Sequence, residues 1–279
     1  MKKINHYLIC FFCWLALVIS LTLVLGVIVI LVGKGIGAIN WNFISQPSTN
    51  FGQSGGILYQ IVGSLLIVIV AFLLSFPVAI AAALYKSEYL TNKKWQYWSD
   101  MMLHILNGIP SIVFGVFALL FFINICGAHV SWWLGSLILA IMMLPILTFS
   151  SYFYLQRLSP EIRDSCLALG LTKGQFIRSF LLKRSFVGAV SGSFLGLARI
   201  LGETAPIMWV ATVFAGGAIP SSWSEPVATI ATHILILAQQ ANDPQAVSNG
   251  WGASLILISL VFILAGIGFY MRRQQLRIQ

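Results

Sequence analysis

The chain has 279 residues, 59% of them hydrophobic and only 8% charged, with a formal net charge of +9. Soluble domains carry about a quarter charged residues, so the composition excludes a soluble globular protein and indicates an all-α polytopic membrane protein. The basic residues are scattered over separate segments beside apolar runs, which excludes a nucleic-acid-binding surface as the origin of the positive charge.

Six apolar runs are long enough to cross about 30 Å of hydrocarbon. The first, residues 8–32, follows Lys2 and Lys3. It is too long for a secretory h-region and ends in Gly33-Lys34-Gly35, so a retained helix is predicted. Its Cys10 and Cys13 have no second ligand pair anywhere, and no metal site is predicted. A polar loop at 33–56 is too short to form a core. The second run is 57–85, containing Pro77, and the third is 101–125, containing Pro110. Both prolines are predicted kinks. The fourth run is 133–155. A loop at 155–185 separates it from the fifth, 186–214, and the sixth is 251–271. Between the last two, the apolar run 226–238 is too short to span and is predicted to be re-entrant or interfacial on the outer side.

Six spans place both termini on one side. All 16 basic residues except Lys34 and Arg199 fall at the N-terminus, in 86–94, in 157–184 or in 272–277. Positive charge gathers on the cytoplasmic face, which predicts an N-in/C-in topology. Trp41, Trp132, Trp133, Trp223 and Trp251 fall near outer helix ends, where aromatic belts sit. His104, His129 and His233 are isolated and read as packed or interfacial residues.

The loop at 155–185 begins Ser159-Pro160-Glu161, a helix-start signal. A helix over 161–169 ends at Gly170. Thr172 caps a second short helix running to Leu182. A plain basic connector that fixes topology is the competing reading.

Arg199 and Glu203, at i,i+4, are the only charged side chains between Ser185 and Trp223. Each costs about 2.5–3.5 kcal/mol at bilayer depth on insertion scales, so such groups face a partner or a hydrated path. Gly188, Gly192, Gly196, Arg199 and Glu203 share roughly an 80° sector of a helix, and the glycines admit a close neighbour, here read as a subunit seam. Pro206 cannot donate to Gly202 and is predicted to kink the helix as a hinge. Arg offers a planar fork of donors suited to the oxygens of an anion. A buried ion pair that only locks packing is the alternative. No nucleotide-binding glycine loop and no nucleophile–base constellation is present, so this chain is predicted to be no enzyme and to bind no cofactor.

Several segments resemble a known family. Arg163-Asp164-Ser165-Cys166-Leu167-Ala168-Leu169-Gly170, followed by Phe180-Leu181-Leu182, is similar to the EAA loop of ABC importer permeases. Asp164-Ser165-Cys166 stands in place of E-A-A, Phe180 in place of Ile, and Lys183 where Pro is usual. Gly55-Gly56-Ile57, Gly63-Ser64-Leu65 and Ala81-Ala82-Ala83-Leu84-Tyr85 resemble the second-helix region of PstA-type phosphate permeases. Gly108-Ile109-Pro110-Ser111-Ile112-Val113-Phe114-Gly115 and Leu197-Ala198-Arg199-Ile200-Leu201-Gly202-Glu203-Thr204-Ala205-Pro206 resemble their third and fifth helices.

The resemblance implies a type I ABC importer permease fold, as one transmembrane permease domain over 1–279 with its core at about 55–271. It implies a bacterial inner-membrane location and a phosphate substrate. It also implies a sister permease of the PstC type, two ATP-hydrolysing subunits of the PstB type and a periplasmic binding protein of the PstS type. Arg163, Asp164, Ser165, Cys166, Gly170, Phe180 and Leu182 would then form the loop that docks on the ATPase. A permease for sulfate or molybdate, an ATP-independent transporter and a non-transporting scaffold are the alternatives.

Overall fold

The computed structural model describes residues 2–158, 160–212 and 219–277. Helix α1 runs Lys2–Gly35 and α2 Trp41–Ser45, followed by a small hairpin of β1 (Ser48–Thr49) and β2 (Ser54–Gly55). Then come α3 (Leu58–Glu88), α4 (Lys93–Gly108) and α5 (Ser111–Ala118), which continues as a π turn over Leu119–Ile125. After α6 (Trp132–Gln156), the cytoplasmic loop holds α7 (Pro160–Ala168) and α8 (Lys173–Phe176). A π turn at Ile177–Leu181 joins α8 to α9 (Leu182–Leu201). Helices α10 (Ala205–Val210), α11 (Ile230–Gln239) and α12 (Pro244–Arg277) follow.

Five helices among the described residues are long and apolar enough to span, and a sixth span exists if α4 and α5 count as one. That pair is bent by 88°. Pro110 therefore produces more than the predicted kink: α4 stops at Gly108, and α5 restarts at Ser111 in a new direction. The residue before a proline is pushed out of the helical region, and Ile109 is extended, with ψ at 128°. By contrast, α3 runs unbroken through Pro77.

The fold is built around α6, the most buried of the spans among the described residues, as expected of a helix without an apolar stripe. Ile138, Leu139, Met143 and Leu147 of α6 pack against Ile67 and Ala71 of α3 and Ile200 of α9. A cytoplasmic cluster of Ala83, Leu155, Cys166, Phe176 and Leu181 closes one end. Phe43, Ile57, Ile230 and Ala253 close the other. Helix α1 buries none of its apolar window within this chain, and Gly35 lets its end approach the Trp251 carbonyl of α12.

The apolar segment at 226–238 forms α11, too short to span as expected, but it is packed inside the outer end. Ile230, Ala231, Thr232, His233 and Leu237 are buried, and Thr229 caps the helix through a reciprocal capping box with Thr232. His233 lies beside Gln60 (Nδ1···Nε2 3.4 Å). Trp132 departs from the belt reading: it is buried, donates from Nε1 to the Ser222 carbonyl (2.9 Å) and stacks on Trp223 (centroids 5.5 Å).

The Gly188, Gly192 and Gly196 stripe is buried, but the helix it admits is α6 of this same chain, which corrects the subunit-seam expectation. A Cβ at Gly192 would sit 2.5 Å from Ser150 Cβ, and one at Gly196 2.8 Å from Met143 Cε. Gly192→Val is expected to overpack this seam and lower stability by about 1–3 kcal/mol, read as a fall in the thermal midpoint of the purified assembly.

Candidate translocation site and coupling loop

The fifth span differs from its predicted limits. It starts in the cytoplasm at Lys173 and ends at Leu201, so the second loop helix and the span are one rod of 29 residues, about 43 Å long. The polar residues of 173–185 made that half look like surface loop. Of the predicted end, residues 213 and 214 lie outside the described residues.

The rod stops before Pro206 instead of bending at it. Gly202 N–H donates to the Arg199 carbonyl (3.3 Å) and Glu203 N–H to that of Ile200 (3.2 Å), tightening the last turn. A new helix, α10, begins at Ala205 with Pro206 in its first turn, where a missing N–H costs nothing. Pro206 packs against Gly115 of α5, where an added Cβ would lie 2.7 Å from Pro206 Cα. Arg199 thus occupies the last turn of α9, at the negative end of its helix dipole.

Helix register sets the depth of this break. Gly188 packs on Ser151 and Tyr154, Gly192 on Ser150, and Gly196 on Met143. Met143 lies about 16 Å along α6 from its outer end at Trp132, close to half of the hydrocarbon thickness. Arg199, one turn beyond Gly196 toward the outer end, therefore lies about 12 Å from that end of α6, in the middle third of about 30 Å of hydrocarbon.

The pair is only partly covered by this chain. Arg199 and Glu203 side chains are 36% and 16% exposed, with Nε and Oε1 4.0 Å apart. Arg199 Nη1 also donates to Asn107 Oδ1 at 2.6 Å. Asn107 is at the end of α4, next to the Gly108 break. Sequence reading missed it; the one available signal was an amide beside Gly-x-Pro within an apolar run.

A cleft of about 620 Å³ lies between α4, α6 and α9. It is lined by Asp100, Phe149, Ser150, Gln156, Leu195 and Arg272, among others. Leu195 is one turn short of Arg199, so the cleft reaches from the cytoplasmic helix ends toward the charged break. Asp100 pairs there with Lys86, whose ammonium also sits 4.2 Å from the centre of the Tyr152 ring.

In the loop, α7 ends at Ala168 and Gly170 has φ +79°, the left-handed geometry that suits glycine. Thr172 caps α8 through a capping box with Gln175, as its position predicted. The Ser159 cap and the Arg163 side chain lie outside the described residues. Cys166 corrects the docking-face reading, since it is 6% exposed and packs inward with Phe176 and Leu155. Asp164, Ser165 and Gly170 are exposed, as are Leu169 (82%), Phe180 and Leu182. Lys173 Nζ donates to the Glu88 carbonyl (2.7 Å), tying the loop to the end of α3. Leu169 is the most exposed large apolar residue among the described residues and adjoins Gly170, in the segment that the resemblance assigns to ATPase docking. Leu169→Asp is expected to cut ATPase co-purification at least tenfold while leaving membrane insertion unchanged.

The family described as "Binding-protein-dependent transport system inner membrane component" matches residues 75–273, which hold the cytoplasmic loop and the charged break. This chain belongs to that family. It is the multi-pass permease subunit of an ABC importer, working with ATPase and binding-protein partners, and it carries no ATP-hydrolysing site. The permease is 25% identical over 256 residues to the probable ABC transporter permease protein YqgI of Bacillus subtilis, covering 87% of each chain. It is 28% identical over 237 residues to the phosphate transport system permease protein PstA of Xylella fastidiosa, covering 84% of this chain and 81% of that one. It is 26% identical to PstA of Haemophilus influenzae, covering 92% and 90%. In fold it is similar to the inward-facing MetNI methionine ABC transporter (TM-score 0.60, 18% identity, 78% and 95% covered). It is also similar to a bacterial alginate ABC transporter bound to its periplasmic protein (TM-score 0.64, 15% identity, 94% and 93% covered).

Proposed function

We propose that the permease translocates inorganic phosphate across the bacterial cytoplasmic membrane and that Arg199 and Glu203 lie on the route. The observation that carries this reading is a part-exposed guanidinium at mid-membrane depth, held at a helix break by Asn107 and Glu203. The PstA names borne by several relatives support phosphate as the substrate. Arg provides charge-assisted, forked donors for a phosphate anion. The carboxylate 4.0 Å away keeps that grip loose enough for release, since a transport site that binds too tightly stalls.

In this reading the partners are a PstC-like sister permease, two PstB-like ATPases and a PstS-like periplasmic phosphate-binding protein. ATP is used by the ATPases, and this chain binds no cofactor. The single rod from Lys173 to Leu201 gives the mechanical link. A push on the exposed surface around Leu169 and Asp164 enters the rod through the turn at Gly170–Thr172 and is carried about 40 Å from Lys173 to Arg199, with the π turn at Ile177–Leu181 as the irregularity along the way.

The test is ATP-dependent anion accumulation by the assembled transporter in proteoliposomes with its binding protein. Labelled phosphate should accumulate, and sulfate and molybdate should not. Accumulation of either of those instead would replace phosphate as the substrate. Gradient-driven uptake by this chain alone would replace the ABC mechanism.

A further inference from the structure

We propose that Glu203 and Asn107 make the Arg199 site selective for an oxyanion that still carries a proton, phosphate or its analogue arsenate, against fully ionised sulfate and molybdate. The inference rests on the pathway reading above and adds to it the chemical basis of selection. Three side chains from two elements meet at the break: Arg199 and Glu203 at the end of α9 and Asn107 at the end of α4. Their hydrogen-bonding capacities differ in kind. Arg199 has five N–H donors and commits one to Asn107 Oδ1. That bond fixes the amide so that its oxygen faces the guanidinium, which leaves the amide N–H groups free to donate to a ligand. Donors of this sort bind the ionised oxygens of any tetrahedral oxyanion and do not distinguish between them.

Glu203 supplies the distinction. An ionised carboxylate only accepts hydrogen bonds. Among the described residues, its one recorded polar partner is Arg199 at 4.0 Å, a separation beyond ordinary hydrogen-bond length. The carboxylate therefore has acceptor capacity left over, on the same part-exposed surface as the guanidinium. At neutral pH phosphate and arsenate keep at least one O–H, which can donate to Glu203 while their ionised oxygens take the Arg199 and Asn107 donors. Sulfate and molybdate carry two charges and no proton, so the carboxylate meets them as a bare like charge. Sites built to hydrogen-bond a ligand O–H reject analogues lacking it by about 10⁴–10⁵-fold. Part exposure of this site reduces the expected preference to about a hundredfold.

The competing role for Glu203 is simple neutralisation of Arg199, in which case its removal changes the affinity for every anion by the same factor. Equilibrium dialysis of the assembled transporter, without binding protein, against labelled phosphate and labelled sulfate separates the two roles. The wild type should prefer phosphate by about a hundredfold. Glu203→Gln, isosteric and able to donate to sulfate, should bring the two affinities within a fewfold, and Glu203→Asp should retain the preference. Asn107→Asp is an independent variant, with a second carboxylate against Arg199, and should weaken sulfate further than phosphate. Co-purification of all subunits confirms assembly in each case. An unchanged preference in Glu203→Gln, or equal binding of both anions by the wild type, overturns the proposal and leaves the pathway reading standing. Binding of neither anion by the wild type removes both.

Discussion

Arg199→Gln is expected to lower anion uptake about a hundredfold and to leave the transporter assembled. The substitution removes the charge and the forked donors but keeps a long polar side chain that still reaches Asn107. Hydrogen bonds from a charged group to an anion contribute about 1.5–3 kcal/mol each, and a forked pair is lost here. A loss of about 3 kcal/mol corresponds to roughly a hundredfold in uptake at sub-saturating anion. Arg199→Lys keeps the charge without the fork and should retain an intermediate rate. Assembly should survive because Arg199 is 36% exposed and its ion pair lies within one segment. Pairs of this spacing and exposure contribute only a few tenths of a kcal/mol to a helix. If Arg199→Gln instead disrupted the complex at unchanged specific activity, the pair would be a packing device.

Asp100→Asn is expected to destabilise the permease by about 2–3 kcal/mol. Lys86 lies at the cytoplasmic end of α3 with its side chain only 3% exposed, and Asp100 is its ion-pair partner from α4. Removing one member of a buried pair leaves an uncompensated charge, at a cost of about 3–5 kcal/mol. The 43% exposure of the Asp100 side chain and the Tyr152 ring over Lys86 Nζ place this case below that range. The consequence is concentrated in α4, which has no buried residue of its own. Asp100 and Asn107 are tethers toward its base and tip, and the His104 ring rests on Phe149 between them, with centroids 4.8 Å apart. Asp100→Asn should therefore lower the thermal midpoint and open the corner at 89–93 to protease. The double variant Lys86→Met with Asp100→Leu should recover most of the loss, because replacing both partners by apolar groups removes the orphaned charge. A single variant as stable as wild type would show that α4 is held by something else.

The lipid-exposed and buried helices were legible because hydropathy over a span-length window is a strong signal: α1, α3, α6 and α12 lie where the apolar runs place them. The charged break was legible for the same reason, since two ionisable residues stand out against an apolar background. What hydropathy could not resolve was continuity. The stretch 173–185 carries Lys173, Arg178, Lys183 and Arg184 and reads as surface, yet its backbone continues as one helix into the membrane. Local pattern also misjudged the prolines. Pro77 is absorbed within α3, whereas Pro110 and Pro206 follow Gly108 and Gly202 and mark full breaks. Lys86 and Asp100 carry no sequence signature, and Asn107 has only its place beside Gly-x-Pro, because their roles depend on α4 folding back toward the ends of α3 and α9. Cys166 looked like part of an exposed motif, and only the packing of α7 on Phe176 and Leu155 turns it inward.

The central claim is that the break at Arg199 borders a hydrated route. The most direct measurement replaces Cys10, Cys13, Cys126 and Cys166 and introduces Asn107→Cys as the single thiol of this chain, in the assembled transporter. A membrane-impermeant methanethiosulfonate reagent is then applied in the nucleotide-free and ATP-trapped states. The account predicts modification from the aqueous phase in at least one state, slowed by phosphate. A thiol that stays unreactive in both states would place the guanidinium and its carboxylate in dry protein and contradict the account.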